Sequence, residues 1–274
     1  MRLTCSSLSL YSLPVDEVIA IVAKLGFAAM DLVGIPTLQP IHLDVARRDP
    51  DELGRLARAV EDAQVEVATI VTVPSDGMPS WDPAEVNARV GWAVSACRAV
   101  SAHRLVLDAG NPIPAEQVER KQAIARWKAM IDEAHRLTSK AGVAFAVEMP
   151  HTGTLAERFD QVEELLDAMD HPDIGLDYDT SHVYRSGTSI EDGLRIIGDR
   201  VVKVALRDVG EDGEFCRPGT GRVDFRGLFA LLHARKYTGD IVIELETPGV
   251  INPSDQIREI ELSRTFIEAT LAGL

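Results

Sequence analysis

At 274 residues, with 46% hydrophobic and 26% charged side chains, the chain has the composition of a globular protein with a sizeable core. Its 43 acidic and 28 basic residues leave a net charge of -15, which opposes partnership with nucleic acid or an anionic membrane, since both need basic surface. Cys5, Cys97 and Cys216 are odd in number and far apart with no CxxC, and neither a signal-peptide pattern nor a membrane-length apolar run is present; this predicts a cytoplasmic protein without a disulfide framework or thiolate zinc site.

The predicted elements alternate from the start. Leu3 to Leu8 reads as a first strand. Val15 to Leu25 follows as a helix, because Val15, Val18, Ile19, Val22 and Leu25 share one face, and Gly26 suits its C-terminal cap. Phe27 to Val33 is a second strand carrying Asp31, and Gly34 to Arg48 is irregular and contains His42. Asp49-Pro50 opens a helix to about Ala63, with Asp as cap and Pro at the first helical position. Val65 to Val73 is a third strand, and Pro74 to Trp81 a loop. Asp82-Pro83 opens a helix to about Val100, and His103 to Asp108 is a fourth strand ending in Asp-Ala-Gly-Asn.

The same alternation continues. A long helix after Pro114 places Ile124, Trp127, Met130, Ile131 and Ala134 on one face and closes at Gly142. Val143 to Glu148 is a fifth strand, and Thr154 with Glu157 forms a capping-box pattern for a helix to about Met169. Ile174 to Tyr178 is a sixth strand, Ser189 to Ile197 a short helix, and Val201 to Leu206 a seventh strand. Asp224 to Arg235 is a helix, Ile241 to Leu245 an eighth strand, and Asn252-Pro253 opens the last helix. Roughly eight strand–helix units with apolar, non-alternating strands predict buried parallel strands and a single-domain α/β (β/α)8 TIM barrel. The GxGxxG fingerprint of an open dinucleotide-binding sheet is absent after the first strand.

In a barrel the C-terminal strand ends share one mouth. Glu148, Asp179 and Glu244 close the fifth, sixth and eighth apolar runs, so three like charges are expected there. Either a divalent cation neutralises them or some bind protons. Oxygen donors with perhaps one imidazole suit Mn²⁺, Mg²⁺ or Co²⁺, with Zn²⁺ as a further choice. Asp179 also has a plainer reading, as the cap of a following helical turn, with His182 as a surface residue.

Four segments resemble the sugar phosphate isomerase/epimerase superfamily of xylose isomerase-like TIM barrels. They are Ala146-Val-Glu-Met-Pro, Leu176-Asp-Tyr-Asp-Thr-Ser-His, Arg217-Pro-Gly-Thr-Gly-Arg-Val-Asp-Phe and Tyr237-Thr-Gly-Asp-Ile-Val-Ile-Glu. The resemblance covers essentially the whole chain. It implies a divalent metal held by Glu148, Asp179, Glu244 and a strand-seven histidine. Here the chain departs from the pattern: His-x-Lys-Asp is replaced by Ala205-Leu-Arg-Asp. His182, His151, Asp208 or water is left to complete the set, or the site holds no metal. The resemblance further implies an isomerase or epimerase of a small sugar or keto-polyol, working through an enediolate. Glu148 and Glu244 would be the acid/base pair, with His182, Arg217 and Asp108 on substrate. A dehydratase (C–O lyase) on a related keto-polyol is the near alternative, and Ala205 keeps open a non-catalytic or partner-dependent barrel. An abasic-site nuclease shares the fold, but the acidic charge opposes it. A small carbohydrate is the expected partner, and homo-oligomerisation is left open.

Other residues carry plainer readings. The Arg217-Pro-Gly-Thr-Gly-Arg loop suits phosphate by its place after strand seven, yet it lacks GK[ST] and reads as a turn. Trp81 reads as a lid or a loop anchor, His42 as a loop residue and Cys97 as packing.

Overall fold

The computed structural model describes residues 1–78, 80–110 and 117–274. Parallel strands close into a barrel in chain order: β1 (Arg2–Ser6), β2 (Ala29–Gly34), β3 (Glu66–Thr72), β4 (Arg104–Asp108), β5 (Ala144–Glu148), β6 (Gly175–Asp179) and β7 (Val201–Leu206). A small antiparallel ribbon, β8 (Asp208–Val209) with β9 (Phe215–Cys216), follows before the last barrel strand, β10 (Asp240–Ile243). β10 closes on β1, with Leu3 opposite Ile241 and Cys5 opposite Ile243. This is the (β/α)8 barrel the strand pattern predicts.

Around it lie α1 (Val15–Lys24), α2 (Pro50–Ala63), α3 (Pro83–Ala99), α4 (Gln117–Ala141), α5 (Phe159–Met169), α6 (Thr180–Arg185), α7 (Ile190–Ile197), α8 (Phe225–Ala234) and α9 (Pro253–Ala272). Asp49, Asp82 and Asn252 cap α2, α3 and α9 through their side chains, each followed by proline. The cap oxygens satisfy N–H groups that have no partner inside the helix. The long helix start expected after Pro114, the Asn111 before it, and Pro79 of the third loop lie outside the described residues.

Strand alternation explains why the strands read as unbroken apolar runs. Leu32, Ile70, Leu107 and Val147 face outward into the main core beneath the helices. Val33, Val71, Val106 and Ala146 face inward as a separate apolar cluster. This inner layer is small-sided along β2 to β5, with the charged Asp31, Arg104 and Glu148 two residues away on the same strand faces. Along β6 and β7 the inward positions carry buried Asp177, Asp179 and Lys203, and these charges set the site.

Two boundaries correct the sequence reading. β1 stops at Ser6, whose hydroxyl accepts from the Leu8 N–H, and a 3₁₀ turn over Ser7–Leu10 follows. The Thr154–Glu157 capping box does not open α5. Thr154 Oγ1 donates to the His151 carbonyl, Glu157 accepts from the Gly153 N–H, and both residues belong to the preceding loop. α5 begins at Phe159 instead, where the Gln161 side chain accepts from the Arg158 N–H at 3.0 Å. A local turn satisfied the same Thr and Glu oxygens, so the pattern did not require a helix.

Candidate active site

Residues 203, 205 and 207 share the inward face of the seventh barrel strand and its exit. Glu148, Asp179 and Glu244 reach the same space from β5, β6 and the residue just past β10, and one oxygen from each lies within 4.8 Å of the others. The three expected carboxylates therefore meet at the mouth, and all are buried. Ala205, opposite Asp179 in register, contributes only a methyl group.

The positive charge at this mouth is Arg207, only 2% exposed. Its Nη2 donates to Asp179 Oδ2 at 2.6 Å and lies 3.8 Å from Glu244 Oε1, while its Nη1 pairs with Glu246. Nε donates to Ser181 Oγ at 3.1 Å, and the Arg207 backbone N–H donates to Thr180 Oγ1 at 2.9 Å. Nη2 is also 3.2 Å from His182 Nε2. Every residue of the Asp-Thr-Ser-His segment thus touches Arg207. The guanidinium also stacks 4.2 Å from the Phe215 ring centre, and Arg185 stacks on the same ring at 3.9 Å. The β8–β9 ribbon, which supplies Phe215, brings an aromatic face against the site.

Asp179 does two things. Oδ1 accepts from the Ser181 and His182 N–H groups at 2.7 and 3.2 Å, capping α6, while Oδ2 receives Arg207. The capping reading holds, but His182 is buried rather than a surface residue, and the second oxygen of Asp179 meets Arg207. His182 is buried and held neutral: burial pushes its pKa well below the usual range, against the opposing pull of Asp179. Its Nδ1 accepts from the Thr152 N–H at 3.2 Å with Thr152 Oγ1 3.0 Å away, and its Nε2 lies 3.2 Å from Arg207 Nη2. The His151 ring lies 4.0 Å from the His182 ring, and Glu148, His151 and His182 form a second group of convergent donors.

Beneath the mouth, Lys203 Nζ lies 2.6 Å from Asp177, 3.1 Å from Asp31 and 3.7 Å from Glu244 Oε2. Burial opposes its charge, but Asp177 and Asp31 outweigh that and hold it firmly protonated. With two cations among many carboxylates, the acids separate. Burial raises Asp179 too, but the Arg207 charge reverses the effect and keeps it well below the usual carboxylate range. Burial followed by the charges of Asp177 and Asp179 drives Glu148 well above that range. Glu244 rises to about 7, because burial exceeds the relief given by Lys203 and Arg207.

The other expected site residues divide. Asp108 is buried opposite Glu148 in register; its Oδ2 accepts from the Gly110 N–H at 3.0 Å, Oδ1 has no hydrogen-bond partner, and burial raises it to about 6. Arg217 pairs instead with Glu259 of α9 at 3.5 Å. The glycine-rich loop after it wraps Asp208, whose carboxylate accepts from the Gly219, Gly221 and Val223 N–H groups at 3.0, 2.8 and 2.9 Å. Asp208 is thereby occupied within its own loop. His42 is a buried anchor 3.0 Å from the Leu13 carbonyl, Trp81 packs against the core, and Cys97 is buried. The sequence reading missed Lys203, Arg207 and Phe215. Alternation carried the signal for the first two, because a strand with Lys203, Ala205 and Arg207 on one face cannot keep that face apolar.

The donor set at the mouth fits a divalent cation. Three buried carboxylate oxygens converge, and Glu244 Oε2 is buried with no hydrogen-bond partner. Arg207 already holds one oxygen of Asp179.

A family model described as xylose isomerase-like TIM barrel matches residues 19–266. The chain belongs to this family. Among curated relatives, the inosose dehydratase of Geobacillus kaustophilus is 28% identical over 162 residues, 51% of this chain and 52% of that protein. That of Geobacillus thermodenitrificans is 30% identical over 152 residues, 46% of this chain and 50% of that protein. The alignments thus span about half the length of these relatives. Solved structures superpose over nearly the whole chain. A structure described as IOLI protein with a binding zinc atom gives a TM-score of 0.79 at 14% identity, covering 100% of this chain and 99% of that one. D-psicose 3-epimerase in the presence of D-fructose gives 0.78 at 18%, covering 99% of each. At these identities the superpositions establish the fold. No helix among the described residues is long and apolar enough to cross a membrane.

Proposed function

We propose that the chain is an enzyme that moves a proton at a carbon next to the carbonyl of a small sugar or keto-polyol, as an isomerase or epimerase. The observation that carries this reading is the pair of buried glutamates flanking Arg207, each with a raised pKa, one more than the other. Two carboxyls pushed apart in acidity are suited to opposite roles. Glu244, near Lys203 and Arg207, ionises more readily and acts as the base. Glu148 feels Lys203 only weakly against burial and its acidic neighbours, and holds its proton as the acid. Arg207 faces the same space, and its guanidinium donates to the oxygen that gains charge when the C–H proton leaves; neutral His182, engaged by Arg207 and Thr152, positions that guanidinium. A layer of buried Val33, Val71, Val106 and Ala146 lines part of the barrel interior below. Asp108 borders Glu148 and binds a second hydroxyl.

Glu148, Asp179 and Glu244 would hold Mn²⁺, Mg²⁺ or Co²⁺, with Zn²⁺ a further choice; a bound ion supplies Lewis-acid polarisation of the carbonyl. A second reading, dehydration, is favoured by the sequence relatives named inosose dehydratase. It shares the first deprotonation and differs in expelling a neighbouring hydroxyl. The two separate in one experiment. Incubation of inosose and a ketohexose panel in D₂O is expected to give deuterated isomer from at least one compound, followed by NMR. An absorbing enone product without isomer would establish dehydration. Neither label nor product, with or without Mn²⁺, would end the reading.

A further inference from the structure

At the opposite end of the barrel, two histidines and two aspartates meet. α4 offers Asp132 and His135, one helical turn apart on the same face. The turn between α5 and β6 offers His171 and Asp173. His135 Nε2 lies 2.7 Å from Asp173 Oδ2, His171 Nε2 lies 3.0 Å from Asp132 Oδ1, and the two rings stand 4.3 Å apart at 34°. One donor atom each from His135, His171 and Asp173 lies within 4.8 Å of the others. This group precedes β6, whereas Asp179 ends it, so the two clusters are separated by roughly 20 Å of strand.

We propose that His135, His171 and Asp173 form a binding site for a Zn²⁺-class ion that clamps α4 to the turn feeding β6. Three arguments carry it. First, the donor chemistry is two imidazoles and one carboxylate, which suits Zn²⁺, Co²⁺ or Ni²⁺ rather than Mg²⁺ or Ca²⁺. Second, the supporting shell is built. His171 Nε2 lies 3.0 Å from Asp132 Oδ1, and a proton donated there leaves the Nδ1 lone pair of that ring free for a ligand; Lys128 holds both Asp132 oxygens at 2.8 Å. Third, the spacing needs little change. Ligand atoms around tetrahedral zinc stand about 3.3 Å apart, so His135 and Asp173 must open by about half an ångström and the remaining donors must close by about one and a half at most. Asp173 is well exposed and free to shift, while His135 and His171 are partly covered and already aligned. Water takes the fourth position.

The test uses the full chain, stripped with chelator and titrated with Zn²⁺ alone by calorimetry. A Glu148→Gln/Glu244→Gln variant removes the mouth as a competing site. That variant is expected to retain one Zn²⁺ per chain and to gain about 5 °C in Tm at saturating metal. Adding His135→Asn or His171→Asn to it should weaken binding at least tenfold and abolish the thermal gain, while the metal-free Tm stays unchanged. Co²⁺ should give the visible absorption of a tetrahedral site, lost in the same histidine variants; His135→Gln is the substitute if His135→Asn misfolds. Failure of the mouth variant to bind Zn²⁺, or equal binding with either histidine replaced, overturns the proposal. Neither outcome depends on the catalytic reading of the mouth.

Discussion

Replacing Arg207 by Met removes the mouth's resident cation while keeping much of the side chain's apolar length. Arg207 is buried, donates to Asp179 at 2.6 Å and to Ser181 at 3.1 Å, pairs with Glu246 and stacks on Phe215. A unit-charge pair near 4 Å is worth about 4 kcal/mol at an effective dielectric of 20, and breaking one partner of a buried pair costs about 3–5 kcal/mol. Protonation of the released carboxylates offsets part of that loss, so about 3 kcal/mol of destabilisation is expected in metal-free protein. The same substitution frees Asp179 Oδ2, leaving Oδ1 on the α6 cap, and removes a positive charge from the space a metal would share. Mn²⁺ is therefore expected to bind Arg207→Met at least tenfold more tightly than the natural protein and to restore much of the lost stability. Urea unfolding with and without Mn²⁺, together with calorimetric titration, measures both. Destabilisation below about 1 kcal/mol, a value typical of exposed pairs, would refute the buried-cation account. Unchanged or weaker Mn²⁺ affinity would refute the competition.

Ala205→His should raise Mn²⁺ affinity by calorimetry, because three carboxylates already converge beside that position; no gain would mean that another group completes the set. Lys203→Met should destabilise by about 3 kcal/mol or more in urea unfolding, since Asp177 and Asp31 lose their buried counter-charge. Asp108 gives a pH signature of definite sign. Its folded-state pKa, about 6, stands above its unfolded value of 3.8, so the folded state binds the extra proton and stability falls as pH rises between them. The natural protein should lose up to about 3 kcal/mol relative to Asp108→Asn between pH 4 and pH 8, and parallel urea curves at both pH values would contradict this.

Much of the fold was legible because buried parallel strands have no polar face to interrupt them. The Asp-Pro and Asn-Pro starts of α2, α3 and α9 were equally legible, since cap chemistry is local. The carboxylates followed from topology: Glu148, Asp179 and Glu244 are distant in sequence, and barrel closure brings their strand ends together. What the sequence did not disclose is the identity of the cation they face. Arg207 lies beyond the end of β7, where backbone direction decides whether a side chain enters the mouth or leaves it. Its entry depends on Thr180, which binds the Arg207 backbone on both sides, accepting from N–H and donating to the carbonyl. The Arg217 loop misled for a related reason. Gly219 and Gly221 can present N–H groups to any anion, and Asp208 supplies that anion from within the chain.

The central claim is that Glu148 and Glu244 are an acid and a base acting on one carbon acid. Its most direct measurement is the rate of solvent-deuterium incorporation into whichever keto-polyol the natural protein labels, followed by NMR in the natural protein, Glu148→Gln and Glu244→Gln. Glutamine keeps the shape of each side chain and cannot transfer the proton. A fall of at least about a hundredfold in Glu244→Gln, the scale of general acid–base catalysis, is the predicted result. Glu148→Gln should slow product formation by a similar factor. Incorporation at the natural rate in both variants would contradict the assignment.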